Sequence, residues 1–207
     1  MANGKVITGY SQPIVAKYVY SSNTITYTDK TPLARGVEVD LEVEIGDATN
    51  FFADNTIAES VAGQFNGATA TFTVDGLKDT ARDLIAGLVT SKTITVNTTT
   101  TVSAKAYDDL QVIPYVGIGF VVRYMENGNT TYAPVILPKA QFSPESIKAA
   151  TQGESVEFQT TELQATVMRA DDANHTWKIV AADQATEAAA VAVIEAYFAA
   201  YIRRSER

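Results

Sequence analysis

One segment near the start of the chain alternates strictly between aliphatic and acidic residues. It is Gly36–Ile45, which reads GVEVDLEVEI. Side chains of a β-strand point to opposite faces with a period of two, so the segment predicts a strand with one aliphatic and one acidic face. Carboxylates buried without partners are strongly destabilising, so the aliphatic face is expected in a core and the acidic face in water. The acidic side chains are those of Glu38, Asp40, Glu42 and Glu44.

The pattern after this strand predicts a long connection, a second strand and a helix. Ala48–Gly67 shows little regular alternation and is interpreted as a loop. Ala68–Val74 alternates apolar residues with threonine, as expected of a strand. Apolar residues then recur with helical spacing between Leu77 and Leu88, which predicts a helix over 76–89 that is capped by Asp75.

Strand patterns dominate the second half of the chain. Asn127-Gly128-Asn129 is a hairpin signal between two predicted strands, and Pro138 is expected to end the second of them. Ser143-Pro144-Glu145 has the composition of a helix start, and Gly153 is expected to close that short helix. The other predicted elements are a hairpin or extended loop over Ser91–Ser103, strands over Leu110–Tyr124, Thr130–Leu137 and Thr176–Ala181, one or two strands within Glu154–Arg169 with Val156, Phe158, Leu163, Ala165 and Val167 facing inward, and a C-terminal helix over Asp183–Arg204.

These elements predict a mainly β fold with added helices, an α+β chain. The 207 residues are best described as one domain with extensions. Residues 1–35 form an extended lead-in or arm, with short strands at Ile14–Tyr20 and Asn23–Thr28. Residues 36–182 form the β domain with its helix over 76–89, and residues 183–207 form the C-terminal helix.

The negative charge of the chain is concentrated in one stretch. The formal net charge is −8, and the stretch from Gly36 to Leu77 contains eight acidic residues and no lysine or arginine. Tight binding to nucleic acid requires basic side chains that neutralise phosphates, so this class of partner is disfavoured. No segment has the pattern of a signal peptide or of a membrane span, so no membrane partner is expected. A solvated outer face, or an edge that resists aggregation, also explains an acidic strand face.

No arrangement of catalytic or metal-binding residues is evident in the sequence. The chain lacks cysteine, and its only histidine, His175, follows an Asp-rich turn without a G-x-S-x-G motif. Gly117-Ile118-Gly119 lies inside a strand pattern, so these glycines indicate a bulge or a close backbone approach rather than a phosphate loop. We therefore expect a protein that is not an enzyme, with no catalytic residues, no cofactor and no metal.

Several segments in a fixed order resemble a known family. After the acidic strand come an F-A-D-N segment, the threonine-rich strand with D-G-L, and then P-Y-V-G-I-G-F, N-G-N-T-T-Y, L-P-K-A-Q-F and T-Q-G-E-S-V-E-F-Q-T. Over roughly residues 30–182 the chain is similar to the major tail protein of long non-contractile-tailed bacteriophages, the tail-tube subunit. The segments, in the same order, are Phe52–Asn55, Ala68–Leu77, Pro114–Phe120, Asn127–Tyr132, Leu137–Phe142 and Thr151–Thr160.

The resemblance implies two packed antiparallel β-sheets, a sandwich or partial barrel, flanked by a helix. It also implies six copies in a ring and rings stacked into a hollow tube in the virion, which DNA traverses as cargo without tight binding. The expected partners are other copies and other tail proteins, such as the tape measure and the tail terminator. On this hypothesis Glu38, Asp40, Glu42 and Glu44 line the channel, because a negative wall repels phosphates.

The connection Ala48–Gly67 and the arm before residue 35 are the candidates for contact between rings. The residues singled out in the connection are Phe51, Phe52, Asp54 and Asn55. The sequence leaves open whether Phe51 and Phe52 form a contact surface or pin the loop to the core. Two other functions also stay open: a non-tube virion or baseplate ring component of the same fold, and a non-catalytic carbohydrate-binding β-sandwich.

Overall fold

The computed structural model describes residues 4–87, 90–96, 100–144, 146, 147, 149–151, 158–200, 202 and 203. Strands predominate, and two helices are present within these ranges. The strands are β1 (Val6–Ser21), β2 (Thr24–Pro32), β3 (Gly36–Ile45), β4 (Thr49–Ala53), β5 (Thr56–Val61), β6 (Phe65–Val74), β7 (Ser91–Val96), β8 (Thr100–Lys105), β9 (Val116–Glu126), β10 (Asn129–Phe142), β11 (Thr161–Met168), β12 (Ile179–Val180) and β13 (Ile202–Arg203); the helices are α1 (Asp79–Ala86) and α2 (Glu187–Ala199).

Nine of the described strands form one antiparallel sheet that curls around a core without closing. Its order is β13-β2-β1-β9-β10-β11-β6-β3, and β12 pairs with β10. The rings of Phe72 on β6 and Phe120 on β9 meet edge to face with centroids 5.8 Å apart, although β10 and β11 separate their strands in the sheet order. The prediction of a mainly β fold with helices is therefore confirmed, but the main sheet is continuous rather than two separate sheets.

The core lies on the inner side of this curled sheet. Phe72 and Val74 of β6 are buried as their alternation with threonine predicts, and so are Leu163, Ala165 and Val167 of β11. Phe158, which was predicted to face inward, is 94% exposed because it lies before the first paired residue of β11. Val156 lies outside the described residues.

Helix α2 covers the outer side of the central strands. Its buried side chains are Ala190, Ile194 and Phe198, which recur every four residues and lie against β9. A Cβ atom built on Gly119 would lie 2.3 Å from Cγ2 of Ile194, so the glycine allows the helix to approach the sheet. The close backbone approach predicted for Gly117 and Gly119 is therefore confirmed.

Both helices are shorter than the sequence pattern predicts. α1 ends at Gly87, which has a left-handed backbone conformation (φ +63). The N–H of Gly87 donates to the carbonyl oxygens of Asp83 and Leu84, and these hydrogen bonds close the last turn. Asp75 does not cap α1, because its carboxylate accepts hydrogen bonds from Arg35 instead. α2 begins after Thr186, whose hydroxyl accepts a hydrogen bond from the backbone N–H of Ala189 at 3.2 Å.

The first 35 residues are not a separate arm. β1 lies inside the main sheet, between β2 and β9, and its side chain Val15 is part of the core. β1 and β2 are both longer than predicted. β1 pairs with β9 over residues 6–17 and with β2 over residues 14–21, and its weak local alternation did not indicate the first of these pairings.

Three further boundaries differ from the prediction. β9 begins at Val116 rather than at residue 110, since residues 111–115 form no strand. β10 continues through Pro138. The register shifts between Leu137 and Ala140, so the sheet does not need a hydrogen bond from the N–H that Pro138 lacks. The described residues between 143 and 151 contain no helix, and Glu145 and Gly153 lie outside the described ranges.

Candidate functional site

The acidic segment is the edge strand β3, with the bounds that its alternation predicts. It pairs only with β6 among the described strands, and opposite residues in the pair share a face. Glu38 lies opposite Thr73, Asp40 opposite Thr71, and Glu42 opposite Thr69. These threonines lie in turn opposite Glu162, Gln164 and Thr166 of β11. β3, β6 and β11 therefore present a continuous polar outer face, which we call the acidic face.

The carboxylates of the acidic face have no cationic partner in the part of the chain that the structure describes. Glu38, Asp40, Glu42 and Glu44 are all exposed, and no ion pair involves them. The sequences of β3, β6 and β11 contain no lysine or arginine. Successive acids along β3 lie about 7 Å apart, and each such pair repels by about 0.6 kcal/mol in water. An isolated chain tolerates this repulsion easily.

The aliphatic side of β3 is only partly committed to the core. Val39 and Leu41 pack against the core, as predicted. Val37, Val43 and Ile45 are 54%, 41% and 65% exposed, which contradicts the expectation of a wholly buried face. A bulge at Val37 turns that residue out of the alternation, and the far end of an edge strand has no covering layer.

One end of β3 approaches β1, and the rest of its outer edge is open in the described chain. A Cβ on Gly36 would lie 2.2 Å from the ring of Tyr10, so the sheet nearly closes at this point. Beyond it β3 has no second neighbour. Backbone N–H and C=O groups along such an edge are available to a strand from another chain.

The connection Ala48–Gly67 is a regular hairpin rather than an irregular loop. Strands β4 and β5 pair from Thr49–Val61 to Ala53–Thr56, and Asp54 and Asn55 form the turn with φ of 51° and 63°. Two residues with positive φ are typical of the type I′ turn that suits the twist of a hairpin. The sequence signal was present in this Asp-Asn pair, although it lacks the glycine that usually reveals such a turn.

Phe51 and Phe52 are 64% and 62% exposed. The possibility that they pin the segment to the core is therefore excluded. Adjacent strand residues point to opposite faces, so each face of the hairpin carries one phenylalanine. Phe51 lies opposite Glu59, and Phe52 lies opposite Ile57. Asp54 and Asn55 are exposed at the tip.

A narrow neck joins this hairpin to the sheet. The N–H of Gly46 donates to the carbonyl oxygen of Gln64 at 2.9 Å. A Cβ on Gly63 would lie 1.5 Å from the carbonyl oxygen of Gly46, so no other residue fits at Gly63 without backbone movement. The hairpin therefore projects from the edge of the sheet at a position set by two glycines.

β7 and β8 form a second hairpin. The sequence left open whether this segment, Ser91–Ser103, is a hairpin or an extended loop. Strands β7 and β8 pair from Ser91–Lys105 to Val96–Thr100 and form no ladder with the main sheet among the described residues. One of its faces carries Lys92, Ile94, Val96 and Val102, and the other carries mainly threonine and serine. Ile94, Val96 and Val102 are 53%, 46% and 49% exposed.

The described residues hold no group of three or more histidine, aspartate or glutamate side chains with the geometry of a metal site. His175 lies in a turn with φ of 53° and its Nδ1 is 3.4 Å from the carbonyl oxygen of Ala170. Within the same ranges, neither helix has the length and apolar composition to cross a bilayer.

No protein-family model matches the chain, and no significantly similar curated protein was found. The features of the described chain that bear on function are the acidic face, the open edge of β3 and the two hairpins.

Proposed function

We propose that this chain is a structural virion protein whose copies assemble into stacked hexameric rings, the tube of a phage tail through which DNA passes. The observation that carries the proposal is the acidic face on an open sheet edge, whose four β3 carboxylates have no cationic partner among the described residues. The six-fold number follows from the resemblance to tail-tube subunits.

The open edge supports assembly through strands. A long unpaired edge is a template for pairing with another chain, and closure into a ring removes such edges. Water-filled barrels require about 16–18 strands, more than the main sheet of one chain provides. Several copies that each contribute β3, β6 and β11 would together provide enough strands to enclose a channel.

The electrostatics of the acidic face support passage rather than binding. β3, β6 and β11 contain no cation that would attract phosphate. A channel lined by Glu38, Asp40, Glu42 and Glu44 would repel the DNA backbone on all sides, so the duplex would slide without a preferred resting position.

The β4–β5 hairpin supports contact between rings. Its two phenylalanines are exposed on opposite faces, and exposed aromatic side chains are enriched at protein interfaces. In this proposal Phe51, Phe52, Asp54 and Asn55 reach a copy in the next ring, because ring closure uses the sheet edge and leaves the hairpin projecting.

Negative-stain electron microscopy of the purified chain tests the proposal directly. We expect rings at low concentration and tubes of uniform diameter as concentration rises. Discrete rings that never stack would instead support a non-tube ring component. A chain that remains monomeric at high concentration would contradict the proposed function and would favour a monomeric binding module.

The role of the acidic face is tested by replacing Glu38, Asp40, Glu42 and Glu44 with lysine in a phage that carries this chain. All four side chains are exposed, so the fold should be retained, with a change in melting temperature of only a few degrees. DNA delivery should fall sharply, because a cationic channel retains phosphates.

A matched variant with glutamine at the three glutamates and asparagine at Asp40 separates charge from shape. It should deliver DNA much better than the lysine variant, because it neither attracts nor repels phosphate strongly. Normal DNA delivery by correctly assembled lysine-variant tails would remove the acidic face from the channel wall.

A further inference from the structure

One face of the β7–β8 hairpin is apolar and about half exposed. Ile94 and Val102 lie directly opposite each other, and Val96 continues the same face two residues along β7. All three are about half exposed, so the described part of their own chain leaves them largely uncovered. A two-stranded hairpin is only marginally stable when it stands alone in water, and an exposed apolar face adds to the benefit of a partner.

The charge of this hairpin indicates what kind of surface it meets. The sequence from Ser91 to Lys105 contains two lysines and no acidic residue. Lys105 pairs with Asp83 of its own chain. Lys92 lies on the same face as Ile94 and Val96 and forms no ion pair among the described residues. A complementary surface would therefore be apolar with a carboxylate at its margin.

The β4–β5 hairpin offers such a surface. Its face with Phe51 and Val61 also carries Glu59, which lies directly opposite Phe51. Phe51 and Val61 are 64% and 67% exposed, so this face too is uncovered within its own chain. The opposite face carries Phe52 and Ile57 but has Asn50 and Ser60 in place of a charge. Charge complementarity therefore selects the Phe51 face over the Phe52 face.

We propose that the Lys92–Ile94–Val96–Val102 face of one copy packs on the Phe51–Glu59–Val61 face of a second copy, with Lys92 against Glu59. This inference rests on the proposed self-assembly and specifies one of its interfaces. The two surfaces differ, so the contact is heterologous, and each copy offers one surface to each of two neighbours. Such a contact propagates around a ring or along a stack.

Charge exchange tests the pairing. Lys92→Glu and Glu59→Lys each place like charges together, so each variant alone should need about a tenfold or higher protein concentration to assemble. The double variant K92E/E59K restores opposite charges and should assemble within about threefold of the unmodified chain, because its interface again joins opposite charges. Assembly is measured by light scattering and confirmed by negative-stain microscopy.

A mixture of the two single variants is the decisive sample. In alternating order, the glutamate introduced at position 92 of one variant meets the lysine introduced at position 59 of the other. The unmodified Lys92 and Glu59 meet at the next contact, so every contact joins opposite charges. Assembly should therefore return on mixing although neither variant assembles efficiently alone. Pairing of Lys92 and Glu59 within one chain predicts no rescue in the mixture, and that result would overturn the proposal.

A matched control places a charge on the opposite face of the β7–β8 hairpin. Thr93→Glu alters a strand neighbour of Lys92 that points the other way. It should assemble within about threefold of the unmodified chain, because its charge does not enter the proposed contact. Unimpaired assembly of both Lys92→Glu and Glu59→Lys would overturn this pairing while leaving the proposed function intact. A monomeric unmodified chain would contradict both.

Discussion

At the scale of single residues, two glycines of β9 determine how closely α2 lies against the sheet. Gly117 lies under the rings of Tyr27 and Phe198, and Gly119 lies under Ile194. The G-x-G spacing keeps both positions on the same face of the strand, so two successive turns of the helix rest on bare backbone. The sequence revealed a close approach here, but the identity of the covering helix required the fold.

Gly119→Ala should destabilise the chain by about 1–3 kcal/mol, because the new methyl overlaps Ile194 in a packed layer. The measurement is the free energy of unfolding from urea denaturation. Gly76→Ala is the matched control, since nothing lies within 4 Å of a Cβ built there. The control should change the free energy of unfolding by less than about 0.5 kcal/mol. Equal stability of the two variants would contradict the packing described for α2.

A second prediction at this scale concerns the pH dependence of stability. The side chain of Asp183 accepts hydrogen bonds from the Lys5 ammonium and from the Thr131 hydroxyl, the latter at 3.0 Å. The Lys5 contact in particular holds the pKa of Asp183 below its usual range. A lowered pKa in the folded state stabilises the fold above the unfolded pKa of about 3.9, and this stabilisation is lost as pH falls through the folded pKa.

Asp183→Asn should therefore have a lower melting temperature than the unmodified chain at pH 7. The difference should shrink as pH falls below about 4 and vanish once the aspartate is protonated in both states. Thermal unfolding at a series of pH values measures this. A difference in melting temperature that stays constant down to pH 2 would mean that the asparagine acts through packing rather than through loss of the charge.

At the scale of elements, local alternation predicted the strands with one solvated face. β3 has its predicted bounds, and Phe72 and Leu163 are buried as their patterns indicate. The length of β1 was underestimated, because its first half pairs only with β9, which is distant in sequence. Pro138 was wrongly interpreted as a strand end because a bulge, which local pattern does not reveal, accommodates it.

Of the candidate site, only the acidic strand could be predicted from the sequence, because its charged residues recur at every second position. The acids of β3 were found because four of them share one face of one strand. The interpretation of Ala48–Gly67 as an irregular loop failed because a bulge at Ala58, opposite Phe51 and Phe52, breaks the alternation that would have revealed β5. The open edge beside β3 depends on which strand pairs with which, and that is a property of the whole fold.

Replacement of residues 48–62 by a short Asn-Gly turn tests the independence of the β4–β5 hairpin. All residues of β4 and β5 are exposed, so removal should change the melting temperature of the body by only a few degrees. Tube formation should be abolished, because the proposed contact between copies is lost. The control, Thr56→Ser, keeps the hairpin and the hydroxyl that donates to the carbonyl oxygen of Ala53, and it should preserve tubes. Long tubes from the truncated chain would remove this hairpin from assembly.

At the scale of the whole molecule, the proposed assembly should depend on salt, because the four acids of β3 have no cationic partner among the described residues. One copy bears the repulsion of its acidic face easily, but a closed ring brings the acidic faces of several copies towards a common axis. The screening length is about 30 Å at 0.01 M salt and about 10 Å at 0.1 M, so repulsion across a channel weakens strongly over this range. In the proposed tube, the acidic face would therefore favour DNA passage at some cost to ring stability.

The protein concentration needed for half-maximal assembly should fall as salt rises from about 0.01 M to about 0.15 M. Light scattering at fixed pH measures it. The neutral variant, in which glutamine replaces the three glutamates of β3 and asparagine replaces Asp40, should assemble at low salt with little further dependence on salt, because its ring has lost the repulsion. Assembly of the unmodified chain that weakens with salt would show that attraction between unlike charges dominates the interfaces.

The neck at Gly46 and Gly63 has a consequence for how such a chain diversifies. Both ends of the β4–β5 hairpin leave the body at one point, and the hydrogen bond from Gly46 to Gln64 closes the ladder before the hairpin begins. Changes in the length or sequence of the hairpin therefore leave the register of β3 and β6 undisturbed. If the hairpin joins copies as proposed, a lineage can exchange this segment alone to alter which subunits recognise one another, while the folded body is inherited unchanged.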